Sequence, residues 1–301
     1  MQPLTSETLG GFVPAVVTPF SGSGEIMADA FGELVEWLIG NGANGICVAG
    51  DNGESWSLTA AERQRLTRLA VDRAAGRVPV IAGAGAATAG DAIRFARAAS
   101  DGGADGLLLL PQTYVLKASR PELLRRFEAV AKAVPLPIIA YNSPRRTGIE
   151  LGLADLEALT GVAPIIGLKE SSRDFFHHSR VLHAIGGRIS MMVGPSHYIF
   201  PGLALGARGF IATGPELLGP EAGRIMTLAR EKPSAGQARL HHMLTVLYET
   251  LMASGTWPAA LKAALGLLGQ PAGFPRDPVL PLSAPETAKL RLTMQELGLL
   301  A

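Results

Sequence analysis

Eight short runs of apolar residues predict an α/β protein, a (β/α)8 TIM barrel with a C-terminal helical extension. The runs are continuous rather than alternating, as strands covered on both faces require. They recur about every 30 residues with helix-forming stretches between them, one strand–helix unit each. Eight units of similar size without a dinucleotide fingerprint favour a closed barrel over a doubly wound open sheet.

The predicted strands cover residues 12–18, 45–49, 78–82, 106–110, 137–141, 165–169, 189–193 and 209–212. Thr59 with Glu62 is a capping box, and Leu66, Leu69 and Ala70 follow at helical spacing. Residues 89–100 form an alanine-rich helix, and Ser119-Arg120-Pro121-Glu122 starts another. Gly42-Ala43-Asn44-Gly45, Gly103-Ala104-Asp105-Gly106 and Gly206-Ala207-Arg208-Gly209 read as helix C-caps feeding the next strand. The catalytic barrel is assigned to residues 1–230. Residues 231–301 form the extension, with helices at 235–253, 259–268 and 284–297.

The 301 residues are 48% hydrophobic and 18% charged, with a net charge of +1, enough for one large core. That balance offers no field to attract nucleic acid or an anionic membrane. A single cysteine, Cys47, excludes an internal disulfide. The start of the chain lacks a basic-then-apolar leader, and no apolar run approaches the ~20 residues of a membrane span. A cytoplasmic protein is expected. The pairs His177-His178 and His241-His242 are adjacent, cannot face one site on a helix, and read as surface histidines, so no metal is expected. Trp37 and Trp56 read as packing residues, and Gly83-Ala84-Gly85 is too incomplete for a dinucleotide loop.

Active sites of such barrels lie at the C-terminal strand ends. Lys169 ends the sixth strand after Ile165-Ile166-Gly167-Leu168. An amine there loses hydration, and the neutral form of such an amine attacks ketones to form a Schiff base. Tyr141 ends the neighbouring fifth strand, about 4.8 Å away by sheet spacing, where a phenol can shuttle protons. After strand 2, Gly50-Asp51-Asn52-Gly53-Glu54 makes a turn whose N–H groups can converge on a carboxylate.

Together Gly50–Glu54, Tyr141-Asn142-Ser143-Pro144-Arg145-Arg146-Thr147-Gly148 and Gly167-Leu168-Lys169-Glu170-Ser171 resemble the three signatures of the dihydrodipicolinate synthase / N-acetylneuraminate lyase family. The likeness runs from Gly11-Phe12-Val13-Pro14-Ala15 to Pro258-Ala259-Ala260-Leu261-Lys262-Ala263. It implies a homotetramer with class I aldolase chemistry on pyruvate or another small-molecule 2-oxo acid, without metal or cofactor. By the same match Lys169 is the Schiff-base lysine, Tyr141 relays protons, and Asp51, Asn52 and Gly53 hold the 2-oxo acid carboxylate.

The departures bear on substrate. The synthases carry two threonines where this chain has Asp51 and Asn52. Asp51 either points aside or accepts from a substrate hydroxyl, and Asn52 resembles the turn of 4-hydroxy-2-oxoglutarate aldolases. Thr113 is expected to line the distal pocket. Tyr114 is the one tyrosine after strand 4; it caps this site, an adjacent subunit's site, or is a surface aromatic. Arg146 binds the acid group of a second substrate or makes a structural salt bridge. Ser196 and Thr213 contact the distal part of the substrate or shape their loops. On this reading a catabolic 2-oxo acid aldolase or dehydratase is expected ahead of lysine-biosynthetic 4-hydroxy-tetrahydrodipicolinate synthase. A phosphosugar isomerase or aldolase and a non-catalytic 2-oxo acid sensor are the competitors.

Overall fold

The computed structural model describes residues 2–301. Eight parallel strands form one sheet: β1 (Gly11–Phe12), β2 (Ile46–Val48), β3 (Val80–Gly83), β4 (Gly106–Leu109), β5 (Ile138–Asn142), β6 (Ile165–Glu170), β7 (Ser190–Val193) and β8 (Gly209–Phe210). Neighbours run β1-β8-β7-β6-β5-β4-β3-β2. The ring closes just past β1, where Ala15 bridges Cys47. There Val16 N donates to the Cys47 carbonyl at 3.0 Å and Cys47 N to the Pro14 carbonyl at 2.9 Å.

The barrel helices are α1 (Ala28–Gly40), α2 (Ala60–Ala74), α3 (Ala89–Asp101), α4 (Arg120–Ala133), α5 (Pro144–Thr147), α6 (Leu153–Leu159), α7 (Phe175–Ile185), α8 (Ile199–Ala204) and α9 (Glu221–Leu228). The extension adds α10 (Ala235–Ala253), α11 (Ala259–Leu267) and α12 (Ala284–Glu296). The expected capping box forms at Thr59/Glu62, and the helix start expected at Ser119 proves to carry a second box with Glu122. Gly42, Gly103 and Gly206 sit at φ of 88°, 89° and 106°, so each repeated turn uses the left-handed freedom of its first glycine.

Two expectations are corrected. The first strand is far shorter than 12–18, since Pro14 has no N–H to donate and the chain bends onto Cys47. The one-turn helix α5 was not read from sequence. Its four residues, opened by Pro144 and closed by Gly148 at φ 72°, are too few to show a period. Among the described residues no helix is long and apolar enough to cross a membrane.

Strand residues alternate between two apolar clusters. Ile46, Val48, Leu107, Leu109, Ile138 and Ala140 pack outward against helices. Val13, Cys47, Ile81, Leu108, Ile139, Tyr141, Met192 and Ile211 fill the barrel interior, with Leu4 and Leu9 among them. Each such fully buried aliphatic side chain stabilises the fold by about 1.5–3 kcal/mol. An irregularity between Ile138 and Ile139 shifts the β5–β6 register, so Ile139 pairs with Gly167 and Tyr141 with Lys169. Lys169 is thereby in phase with the interior residues at the mouth of the barrel. A slip of one residue would turn it toward the helices.

Candidate active site

Lys169 and Tyr141 are both nearly buried, 6% and 5% exposed. Lys169 Nζ lies 4.3 Å from the centre of the Tyr141 ring. Among the described residues nothing accepts a hydrogen bond from Lys169 Nζ, so the amine faces the cavity free of a protein partner. That cavity, about 50 Å³, has room for a few waters. Asp51, Asn52, Arg146 and Thr213 line it with Lys169 and Tyr141.

The turn after β2 is held from several sides. Thr18 Oγ1 donates to the Gly53 carbonyl at 2.8 Å. Asn52 Nδ2 donates to the Ala15 carbonyl at 3.0 Å, and Thr213 Oγ1 donates to Asn52 Oδ1 at 3.2 Å. One N–H of the Asn52 amide and its oxygen are therefore used in holding the turn against the barrel. A Cβ at position 53 would lie 3.1 Å from the Val16 carbonyl oxygen, so glycine keeps the turn pressed onto the barrel.

Asp51 pairs with Arg146. Its Oδ2 accepts from Arg146 Nη2 at 2.8 Å and Nε at 3.0 Å. This ion pair, with Tyr141, stands between the Lys169 cavity and a larger one of about 410 Å³ rimmed by Trp56, Phe95 and Thr113. Of the two roles open to Ser196, the structure shows the loop-shaping one: fully buried, it donates to the Thr213 carbonyl and does not line the Lys169 cavity. Thr113 lines the larger cavity, not that of Lys169. Tyr114 is 89% exposed on an apolar tip with Val115 and Leu116, and lines neither of these two cavities. Trp56 is half exposed rather than packed, whereas Trp37 packs against the core.

The surface reading of His177-His178 is also overturned. His178 is buried, stacked 5.6 Å from Phe175, and burial lowers its pKa. His177 Nε2 lies 3.5 Å from Glu170 Oε2, which also accepts from Asn142 Nδ2 at 2.8 Å. Burial opposes ionisation of Glu170, yet hydrogen bonds from His177, Asn142 and Ser172 outweigh it and hold the carboxyl below 4.5. Glu170 in turn raises His177 above 6.5, against burial. The histidine's contribution to stability is complete below 6.5 and is lost as pH rises through its raised folded value. The carboxylate's is present above 4.5 and lost as pH falls through its lowered one. The difference in melting temperature between the protein and His177→Gln is therefore expected to be largest between pH 4.5 and 6.5 and to shrink as pH rises through the raised value of His177. A difference constant across that range would show that the pair is not ionic.

Several residues at the site were not anticipated. Arg145, on α5, and Arg173, four positions past Lys169, line its cavity. So do Tyr248 and Met252 of α10 and Trp257 just after it, so the extension forms part of the wall. Spacing from Lys169 was the only available signal for Arg173.

A sequence model described as the Dihydrodipicolinate synthetase family matches residues 8–297. The chain belongs to this family. Members similar to it include 4-hydroxy-tetrahydrodipicolinate synthase 1 of Halalkalibacterium halodurans, 32% identical over 286 residues, covering 95% of this chain and 96% of that one. The synthase of Heliobacterium modesticaldum is 34% identical over 290 residues, 96% of each chain. Among solved family structures, a prophage protein of E. coli K12 in complex with pyruvate superposes with a TM-score of 0.91 at 29% identity, covering 97% of this chain and 99% of that one. The lysine-bound synthase of Cyanidioschyzon merolae gives 0.90 at 33%, again over 97% and 99%. As a member of the dihydrodipicolinate synthetase family, the chain is an aldolase-type lyase.

Proposed function

We propose that the protein forms an imine between Lys169 and pyruvate and makes or breaks a carbon–carbon bond at pyruvate C3. The observation that carries this is the unpartnered Lys169 amine over the Tyr141 ring at the barrel mouth. The amine attacks the C2 carbonyl while the carboxylate rests on the amides of the Asn52–Gly53 turn. The carbinolamine loses water as Tyr141 Oη supplies a proton. Loss of a C3 proton gives an enamine, which adds to an aldehyde carbon; hydrolysis of the imine then returns the lysine and releases product.

For the aldehyde, the names of the relatives support aspartate semialdehyde, and thus the synthase reading, over the catabolic one expected from sequence. The second reading, cleavage of a 4-hydroxy-2-oxo acid, draws on Asp51: no threonine hydroxyl stands there, and its carboxylate occupies Arg146. The exposed apolar tip at Tyr114, Val115 and Leu116 supports burial against another copy of the chain, as the expected homotetramer would provide.

Sodium borohydride with pyruvate is expected to leave a stable adduct on the peptide containing Lys169. Absence of an adduct with any 2-oxo acid would sink the imine. In parallel, pyruvate consumption with aspartate semialdehyde against pyruvate release from 4-hydroxy-2-oxo acids decides between the two partners.

A further inference from the structure

Arg173 is built into the wall of the Lys169 cavity, and its Nη2 has no partner among the described residues. Its backbone sits at φ 64°, a left-handed conformation unusual for a non-glycine residue, and its carbonyl accepts from Tyr198 Oη at 2.8 Å. The guanidinium is held in place from α10: Nε donates to Tyr248 Oη at 3.0 Å, and Cζ lies 5.0 Å from that ring's centre. Among the described residues nothing accepts from the buried Nη2, nor from the buried indole nitrogen of Trp257 on the same cavity. Buried donors normally find acceptors.

No carboxylate of the described residues pairs with Arg173 or with Arg145, whose Nη1 reaches only the Met252 sulfur at 3.8 Å. Arg146, by contrast, is neutralised by Asp51. The cavity therefore carries uncompensated positive charge at Arg145 and Arg173 besides the amine of Lys169. The carboxylate of the 2-oxo acid accounts for one negative charge, at the Asn52–Gly53 turn. The remaining donors call for another.

We infer that Arg173, with Arg145 and the indole N–H of Trp257, forms a second anion subsite, and that the aldehyde partner carries a carboxylate or phosphate seated there. This rests on the pyruvate-imine reading. Tyr248 is the positioning residue that orients the guanidinium, and the extension thereby takes part in substrate selection.

The test compares aldehydes in charged and neutral pairs as partners of pyruvate: succinic semialdehyde against butanal, and glyceraldehyde 3-phosphate against glyceraldehyde. In the wild type, kcat/KM should favour the anionic member by roughly tenfold or more, the worth of one charge-assisted hydrogen bond. The pair with the larger ratio tells carboxylate from phosphate. Arg173→Gln should erase the preference and Arg173→Lys restore part of it, while borohydride trapping of pyruvate by Arg173→Gln shows that the variant is folded. Equal use of charged and neutral aldehydes by the wild type, or an unchanged preference in Arg173→Gln, would overturn the subsite. If the wild type traps no 2-oxo acid, the imine reading fails instead, and calorimetry still decides the subsite. In that case glutarate should bind more tightly than butyrate to the wild type but not to Arg173→Gln, and equal binding overturns it.

Discussion

Lys169→Ala should lower turnover by about four orders of magnitude or more, because it removes the atom that becomes covalently bound to substrate. The expected loss falls on the chemistry and spares the fold. Lys169 Nζ makes no hydrogen bond to the protein among the described residues, so its removal strands no buried partner. A melting temperature close to that of the wild type, together with no borohydride adduct, separates a missing nucleophile from a collapsed barrel. Tyr141→Phe keeps the ring that packs over the amine and deletes only the proton-carrying oxygen. It should lower kcat by roughly 10²–10⁴, the usual worth of positioned acid–base catalysis, while still trapping pyruvate more slowly. Turnover by Lys169→Ala within about tenfold of the wild type would remove the imine from the reaction.

The pairing of Tyr141 with Lys169 was legible because two short-range rules meet there. Apolar runs mark strands, and strands of one barrel expose their ends on one face. The register itself was not legible: it depends on the irregularity at Ile138–Ile139, which no pattern in those residues signals. Helix starts at Thr59 and Ser119 were readable because capping is local, acting over three residues. Side-chain direction in loops was not. Ser196 follows a strand end as a substrate ligand would, yet its hydroxyl bonds the Thr213 carbonyl, a contact across 17 residues of chain. The histidine pair misled because adjacency on a helix excludes a shared ligand but neither the burial of His178 nor the pairing of His177 with Glu170. Arg173 lay in plain view beside Lys169, but its meaning depends on Tyr248, 75 residues away on the extension.

Lys262→Met should destabilise the protein by about 3–5 kcal/mol, the cost of leaving one charge of a buried ion pair alone, or a fall in melting temperature of roughly 10 °C. Lys262, 3% exposed on α11, pairs with the fully buried Glu54 and donates to the carbonyls of Thr18 at 2.7 Å and Phe274 at 2.6 Å. Burial pushes its pKa down to about 8, with Glu54 opposing the fall. Glu54 also accepts from the Arg276 backbone N–H at 2.8 Å, and the Lys262 and Arg276 cations lie 4.7 and 4.1 Å from the centre of the Phe20 ring. This cluster grips the turn next to the residues that face the cavity: Glu54 follows Gly53 directly and sits at φ 55°. Glu54→Gln should therefore raise KM for the 2-oxo acid more than it lowers kcat, since the turn loosens while Lys169 stays in place. The double variant Glu54→Gln/Lys262→Met should cost less than the two single losses added, because neither charge is then left unpaired. Additive losses in chemical denaturation would show that the two groups act separately, and that the extension does not clamp the turn through this pair.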